Sequence, residues 1–320
     1  MVNPKLTFGF KIACSTLLIC YLAVTVDWAS LGHTISGVNP WYYGLSFVLV
    51  LLSNCFLAAK CSLLIEGSTI RHSFLSLVKI NIISRFYSIL LPPAVGPEMV
   101  RWFKITRNQQ GKVFFMAASM FERAGFVLVS LAAGAVFLYL SPSSQKIAEL
   151  QVKLLPPLVI LIALVILIHV FFLSRTAHRW GGVMLAKIIP VLRLKPQLMA
   201  IFGSFFLNNR SPRLVIGITA LSIGWHLFFL MRTFLLFLAL SIPLGFMDVA
   251  WMGSLVFLLQ LLPVSLAGIG VREGALAFMF VQVGLPPEQG VAVGVLFFSQ
   301  ILLLAGVGGL LELSDTLSGR

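Results

Sequence analysis

Charged side chains are scarce in this chain of 320 residues: Asp, Glu, Lys and Arg make up 10% of it, and only 10 residues are acidic. A soluble domain carries about 25% charged residues to cover its surface. With 59% hydrophobic residues and a mean hydropathy of +1.02, most of the chain must have lipid as its solvent. The composition therefore excludes a cytosolic enzyme, a secreted disulfide scaffold and a nucleic-acid-binding domain.

Cysteine and histidine are also few. The four cysteines lie within apolar stretches at spacings that fit no zinc pattern, and we interpret them as small buried hydrophobes: Cys14, Cys20, Cys55 and Cys61. The five histidines have no acidic neighbour at ligand spacing. We therefore expect neither a metal site nor a cofactor.

Basic residues are the more abundant charge, with 23 Lys and Arg, and they fall in short runs between apolar segments. The connections 27–40, 241–249 and 284–288 contain no Lys or Arg at all. The positive-inside rule then predicts a cell (inner) membrane protein with both termini in the cytoplasm. The basic connection 175–212 is predicted to lie along the inner leaflet as interfacial helices, with a solvated linker as the alternative.

Apolar runs of about 20 residues, the length of a spanning helix, occur repeatedly along the chain. Six segments qualify: roughly 6–27, 41–65, 113–140, 154–174, 214–240 and 289–312. They predict an all-α integral membrane protein, with residues 1–320 forming a single transmembrane domain. Gly306, Gly308 and Gly309 fall together on the last segment and predict close approach of a neighbouring helix.

Two further apolar stretches, about 74–110 and 250–283, are broken by proline and glycine at Leu90–Pro97 and Leu261–Gly270. Each is predicted to form two half-helices joined by an irregular tip, which must face the protein interior because lipid cannot satisfy its backbone groups. The flanks of the first stretch are basic and those of the second are free of bases. The sequence therefore predicts two re-entrant helical hairpins that enter from opposite faces.

An internal repeat supports this arrangement. Leu90–Arg101 (LLPPAVGPEMVR) and Leu261–Arg272 (LLPVSLAGIGVR) share LLP and VR at identical spacing, offset by 171 residues. We predict an inverted repeat whose halves cover about 1–140 and 154–313. Oppositely oriented repeats with broken helices at matching places are typical of membrane transporters, which bind their substrate where the halves meet.

Ionisable residues within the apolar segments are the candidate site. Each costs about 2.5–3.5 kcal/mol at the centre of a bilayer, so it normally faces the bundle interior and a partner. The predicted substrate-binding residues are Lys79, Arg85, Glu98, Arg101, Glu122, Arg123, Arg272 and Glu273. The predicted hairpin-tip residues are Pro92, Gly96, Pro263, Ser265, Gly268 and Gly270.

The roles of these residues differ. Glu98 and Arg101 are three positions apart and can pair on one helix face. For Lys79 and Arg85, a position lining the entrance to the site and a position away from it are both left open. For Arg232 the two alternatives are a residue of the site and a side chain that snorkels to the membrane surface. We assign Lys60 to snorkelling, because it sits near a helix end.

Arginine is suited to bidentate recognition of phosphate. Half-helix N-termini after Gly96 and Gly270 would add N–H donors and positive dipole ends. These features predict a net-cationic cavity for a phosphate-bearing lipid headgroup. The alternative is that the charge pairs only staple the hairpins in place.

Three runs, LLPPAVGPEMVRWFKI, ASMFERAGFVLVSLAAG and PVSLAGIGVREGAL, resemble the lysylphosphatidylglycerol synthase transmembrane family of flippase-like proteins. The matching positions are Pro92, Gly96, Glu98, Arg101, Glu122, Arg123, Pro263, Ser265, Gly268, Gly270, Arg272 and Glu273. The resemblance implies translocation of a lipid headgroup between leaflets, in some members of aminoacylated phosphatidylglycerol and in others of polyprenyl-linked sugars. The soluble aminoacyl-transferase domain of the fused members is expected to be absent.

The leading hypothesis is a lipid flippase or headgroup transporter, not an enzyme, whose partner is a phospholipid or another lipid-linked anionic substrate. An alternative is a membrane-embedded transferase acting on lipid-linked substrates, with Glu122 or Glu273 as base. Another is an accessory subunit of a lipid-modifying synthase. A homo-oligomer and a separate synthase partner both remain open, and no nucleic acid is expected.

Overall fold

The computed structural model describes residues 27–66, 68–90, 96–107, 112–141, 145–173, 212–261 and 270–318. Within these ranges the chain forms ten α-helices and no β-strand. The helices are α1 (Trp28–Ser36), α2 (Pro40–Ile65), α3 (Phe74–Leu90), α4 (Gly96–Thr106), α5 (Lys112–Leu140), α6 (Gln145–Leu173), α7 (Pro212–Ala239), α8 (Phe246–Gln260), α9 (Val271–Gln282) and α10 (Pro287–Leu317).

Five of these helices, α2, α5, α6, α7 and α10, are long and apolar enough to cross a membrane. The predicted all-α membrane class is thereby confirmed, and five of the six predicted spans have a counterpart. The segment 6–27 and the basic connection 175–212 lie essentially outside the described residues. Helix α6 begins at Gln145, whereas the predicted span began near 154. The prediction started late because Lys146, Glu149 and Lys153 in the first turns lower the hydropathy of that part of the helix.

The base-free connection 27–40 is not simply a loop, since it contains α1. Asp27 caps this helix, its Oδ1 accepting from the backbone N–H groups of Ala29 at 3.0 Å and Ser30 at 3.3 Å. Leu31 is buried in the main core, and α1 packs against α10. Asn39 caps α2 in the same way. Both turns therefore have a local sequence cause.

The helix contacts come in matched pairs. Helix α2 packs along α7, α3 packs on α10, and α5 packs on α8. The 171-residue shift seen in the sequence carries α2 onto α7, α3 onto α8 and α5 onto α10, so it exchanges the α3–α10 contact with the α8–α5 contact. Two repeats related by a two-fold axis require this pairing. The inverted topology itself stays a prediction.

The outer ends of the two broken stretches lie at opposite ends of the bundle. His72, just before α3, contacts the carbonyl of Ile105 at the end of α4 at 2.8 Å. Phe280 near the end of α9 packs on Phe237 near the end of α7, whose Ala239 carbonyl accepts from Asn39 N–H at the start of α2. Helix α2 has 26 residues and is about 39 Å long, which separates these two ends.

The tips that join these half-helices lie in 91–95 and 262–269, outside the described residues. Pro92, Pro263, Ser265 and Gly268 are among them. Helices α4 and α9 have 11 and 12 residues, too few to cross a hydrocarbon core of about 30 Å. These lengths are compatible with re-entrant hairpins, but because the tips lie outside the described residues, the re-entrant course stays a prediction.

Helices α3 and α10 approach closely where α10 carries small residues. A Cβ atom at Gly308 would collide with the carbonyl oxygen of Ile82, and one at Gly309 would lie 3.1 Å from the Phe86 ring. At Gly306 nothing lies within 4 Å. The expected close approach is thus confirmed for two of the three glycines.

Candidate functional site

Two adjoining chambers open between the half-helices and the long helices. The first, of about 200 Å³, is lined by the side chains of Arg85, Arg123, Arg232 and Arg272, and we call it the arginine chamber. The second, of about 150 Å³, is lined by Lys60, Glu98, Glu122, Arg85 and Arg123, and we call it the glutamate chamber. Arg85 and Arg123 line both, so the two chambers adjoin at these side chains.

Arg232 on α7 is held by neutral groups. Its Nε donates to Gln300 Oε1 at 2.8 Å, and its guanidinium lies 4.4 Å from the centre of the Phe297 ring. Gln300 is itself oriented by a hydrogen bond to Ser46 on α2. The Nη2 atom of Arg232 is buried and has no hydrogen-bond partner in the part of the chain that the structure describes. This guanidinium therefore has an unsatisfied buried donor beside the arginine chamber, which its side chain lines.

Arg85 on α3 is also uncommitted. It is half-buried, lines both chambers, and forms neither a hydrogen bond nor an ion pair with another described side chain. Among the residues that the structure describes, its guanidinium therefore adds a positive charge to the two chambers without an ion-pair partner.

At the start of α9, Glu273 is fixed by two groups. Its Oε2 accepts from the Gly270 N–H at 2.8 Å, and its Oε1 accepts from Arg272 Nε at 3.0 Å and Nη2 at 2.5 Å. Gly270 has φ 85°, a left-handed conformation that glycine adopts without strain. A Cβ at Gly294 would lie 2.8 Å from the Glu273 side chain, so a glycine there makes room for it. The sequence Gly270–Glu273 (GVRE) thus turns the chain into helix α9 and positions Arg272.

Glu98 near the start of α4 pairs with Arg101 one turn later, as their spacing predicts. Arg123 Nη1 on α5 lies 3.7 Å from the other oxygen of Glu98. One carboxylate is therefore shared by two guanidinium groups, and Arg123 is only partly neutralised.

The predicted snorkelling of Lys60 is wrong. Lys60 is 3% exposed, forms an ion pair with Glu122 on α5, and lies 4.7 Å from the centre of the Phe126 ring. Sequence spacing could not reveal a partner 62 positions away. A signal was nevertheless present, because a mid-membrane carboxylate such as Glu122 requires a cation.

Lys79, predicted to bind substrate, lies elsewhere. It pairs with Asp315 near the end of α10, its side chain is 36% exposed, and it lines neither of the two chambers. Lys79 precedes Arg85 by six residues, which places it about 9 Å along α3 and on another face. A second ion pair lies near the same end of α10, between Lys104 and Glu312, whose charged atoms are 2.6 Å apart.

The other predicted binding residues converge. Five of them line the chambers: Arg85, Glu98, Glu122, Arg123 and Arg272. The other two, Arg101 and Glu273, do not line the chambers but form ion pairs with the lining residues Glu98 and Arg272. Gly96 begins α4 and Gly270 precedes α9, as expected of tip residues. The sequence reasoning missed the neutral lining residues, notably Gln300, Trp225 and Phe257, which carry no charge to mark them within apolar helices.

An apolar groove of about 600 Å³ adjoins the chambers. It lies between α5, α6, α8 and α9 and is lined by leucine, valine, alanine and aromatic side chains, with Gln282 as a polar exception. Val127 also lines the glutamate chamber, and Leu261 lines both chambers. The groove therefore adjoins the two chambers at these side chains.

Comparison with known proteins assigns the family. No curated protein and no solved structure matches the chain. The sequence does match the family described as "Lysylphosphatidylglycerol synthase TM region" over residues 8–309. This family is a membrane domain associated with lipid-modifying systems. Because the match covers nearly the whole chain, the protein belongs to the lysylphosphatidylglycerol synthase transmembrane-region family.

Proposed function

We propose that the protein is a lipid flippase that carries an anionic, phosphate-bearing headgroup between the leaflets without covalent chemistry. One observation carries the proposal: Arg85 and Arg232 line a cavity within a bundle of membrane-spanning helices, and neither has a carboxylate partner in the described structure. An unpaired charge in such a place is costly and normally marks a substrate pathway. An anionic group entering the cavity would compensate it.

Stapling of the helices explains only part of the charge. The pairs Lys60–Glu122, Glu98–Arg101 and Arg272–Glu273 do join or fix helices. Arg85 and Arg232 form no ion pair with any carboxylate in the described ranges. Since a guanidinium presents its donors in a fork that matches phosphate oxygens, these two groups favour a phosphate ligand.

The dimensions suit a headgroup rather than a whole lipid. The chambers, at about 200 and 150 Å³, are each smaller than the about 300–1,000 Å³ of a site for a drug-sized ligand. The apolar groove beside them supplies a surface that hydrocarbon can contact, and Val127 and Leu261 connect the two. We propose that the headgroup enters the chambers while a tail stays in the groove or in the bilayer.

Movement is proposed to follow from the repeat. The matched contacts of α3 with α10 and of α8 with α5 support two equivalent halves, and the outer ends of the half-helices lie at opposite ends of the bundle. Rocking of inverted repeats would open the chambers to either leaflet in turn. The proposed setting is the inner membrane, with both termini in the cytoplasm.

The transferase alternative requires a carboxylate free to take a proton. Glu122 is engaged by Lys60, and Glu273 by Arg272 and the Gly270 N–H. Both carboxylates are therefore already occupied by donors of the protein, which opposes a role as base toward a substrate. We therefore propose transport rather than catalysis.

Proteoliposomes that contain a trace of fluorescent phosphatidic acid provide the test. Dithionite bleaches only the outer leaflet, so protein-free vesicles lose about half of their signal in a symmetric bilayer, and a flippase increases the loss. Arg85→Gln combined with Arg232→Gln is expected to slow flipping about tenfold or more, since each hydrogen bond to a charged group contributes about 1.5–3 kcal/mol. Lys79→Gln, which removes a cation outside the chambers, is the control. Wild-type flipping in the double variant would overturn the proposed site.

A further inference from the structure

The charges around the chambers do not balance. Six basic side chains line them or pair with a lining residue, namely Lys60, Arg85, Arg101, Arg123, Arg232 and Arg272. Three acidic side chains do so, namely Glu98, Glu122 and Glu273. Among the described residues the site therefore has a formal excess of three positive charges.

The excess lies on particular groups. Lys60 and Arg272 each have a carboxylate of their own, in Glu122 and Glu273. Arg101 forms the closer of the two ion pairs with Glu98. Nη1 of Arg123 lies 3.7 Å from the other carboxylate oxygen of Glu98. The remaining positive charge is on Arg85, Arg123 and Arg232.

These three guanidinium groups come from three different helices, α3, α5 and α7, and all three line the arginine chamber. They converge on one space instead of following one helix face. Rings line the same chamber, and Phe297 lies under Arg232, which holds that guanidinium in place without neutralising it.

From this imbalance we infer that the chambers select a lipid whose headgroup carries two negative charges, as a phosphomonoester or a pyrophosphate diester does. The inference rests on the proposed transport function and specifies its substrate class. A phosphodiester headgroup, with one negative charge, leaves two of the three excess positive charges without a partner. A dianion leaves one.

Geometry favours the same class. A phosphomonoester presents three terminal oxygens, and three guanidinium groups surround the chamber. A phosphodiester presents only two such oxygens and so offers fewer acceptor lone pairs to the three guanidinium groups. Coulomb attraction also scales with the product of the charges, so a second negative charge strengthens every contact in the cavity.

Three fluorescent lipids with identical tails test the inference in the proteoliposome assay: phosphatidic acid, phosphatidylglycerol and phosphatidylcholine. At pH 7.5, above the second pKa of a phosphomonoester at about 6, these headgroups carry about two, one and zero net negative charges. Phosphatidic acid is expected to flip about tenfold faster than phosphatidylglycerol, the factor that one further hydrogen bond to a charged group produces. Equal rates for these two lipids would overturn the inference and leave the flippase proposal standing, whereas no flipping of any lipid would overturn both.

Changing the pH separates charge from headgroup size. At pH 5 the phosphatidic acid headgroup carries about one charge, so its advantage is expected to disappear while flipping of phosphatidylglycerol changes little. A preference that persists at pH 5 would contradict the charge argument. Arg232→Gln is expected to reduce the preference, Arg232→Lys to retain part of it, and Lys79→Gln to leave it intact. The lysine variant keeps the positive charge at this position, so it separates the effect of the charge from that of the guanidinium fork.

Free phosphate is a second source of the same chemistry. Radiolabelled inorganic phosphate added outside the vesicles is expected to slow flipping of phosphatidic acid by competition without accumulating inside. Accumulation dependent on Arg85 and Arg232 would show that the chambers carry the free ion, and would overturn the assignment to a lipid.

Discussion

Lys60 on α2 and Glu122 on α5 form an ion pair in which both residues are almost completely buried, at 3% and 6% exposure. Removing one partner of such a pair leaves the other charge uncompensated. Lys60→Met or Glu122→Gln alone is therefore expected to destabilise the protein by about 3–5 kcal/mol, and the combined variant to recover most of that loss. Thermal unfolding of the purified variants in detergent measures this. Additive destabilisation in the combined variant would show that the two side chains do not depend on each other.

The local pairs could be predicted from the sequence, and the long-range contacts could not. Glu98 and Arg101 are one helical turn apart, so helix periodicity alone brings them together. The partner of Lys60 and the hydrogen bond from Arg232 to Gln300 depend on how separate helices pack, which periodicity does not determine. Lys79 lies outside the chambers for a local reason that the sequence did contain, because six residues along a helix turn it to a different face of α3 from Arg85.

Gly270 is expected to tolerate no side chain. Its φ of 85° lies in the left-handed region, where an alanine costs about 1–2 kcal/mol. Gly270→Ala should also disturb the N–H that Glu273 accepts from, and so slow flipping. Gly274, four residues later, has no neighbouring atom within 4 Å of the position that a Cβ would take, so Gly274→Ala is the matched control. Equal stability and flipping rates in the two variants would contradict the role given to the turn.

The contact between α3 and α10 is expected to depend on Gly308. A leucine there would collide with the backbone at Ile82 and force the helices apart, at a cost of about 1–3 kcal/mol. The position of Arg85, one turn further along α3, would shift with them. Gly306→Leu has open space and is expected to behave like the wild type. Thermal unfolding and the flipping assay together check this, and an unchanged Gly308→Leu protein would show that the helices do not pack as described.

The apolar groove is expected to guide a lipid tail, and filling it should slow flipping while leaving the charged residues untouched. Ala275 on α9 lines the groove, so Ala275→Trp would occupy the space that a hydrocarbon chain needs. Leu167 on α6 is 69% exposed and lies outside the groove lining, so Leu167→Trp adds the same ring without filling it. Slower flipping in the first variant alone is the expected result, with thermal unfolding confirming that both are folded. Because the groove meets the chambers at Val127 and Leu261, a tail held there would keep its headgroup beside the chambers. Unimpaired flipping in a folded Ala275→Trp protein would instead place both tails in the surrounding bilayer.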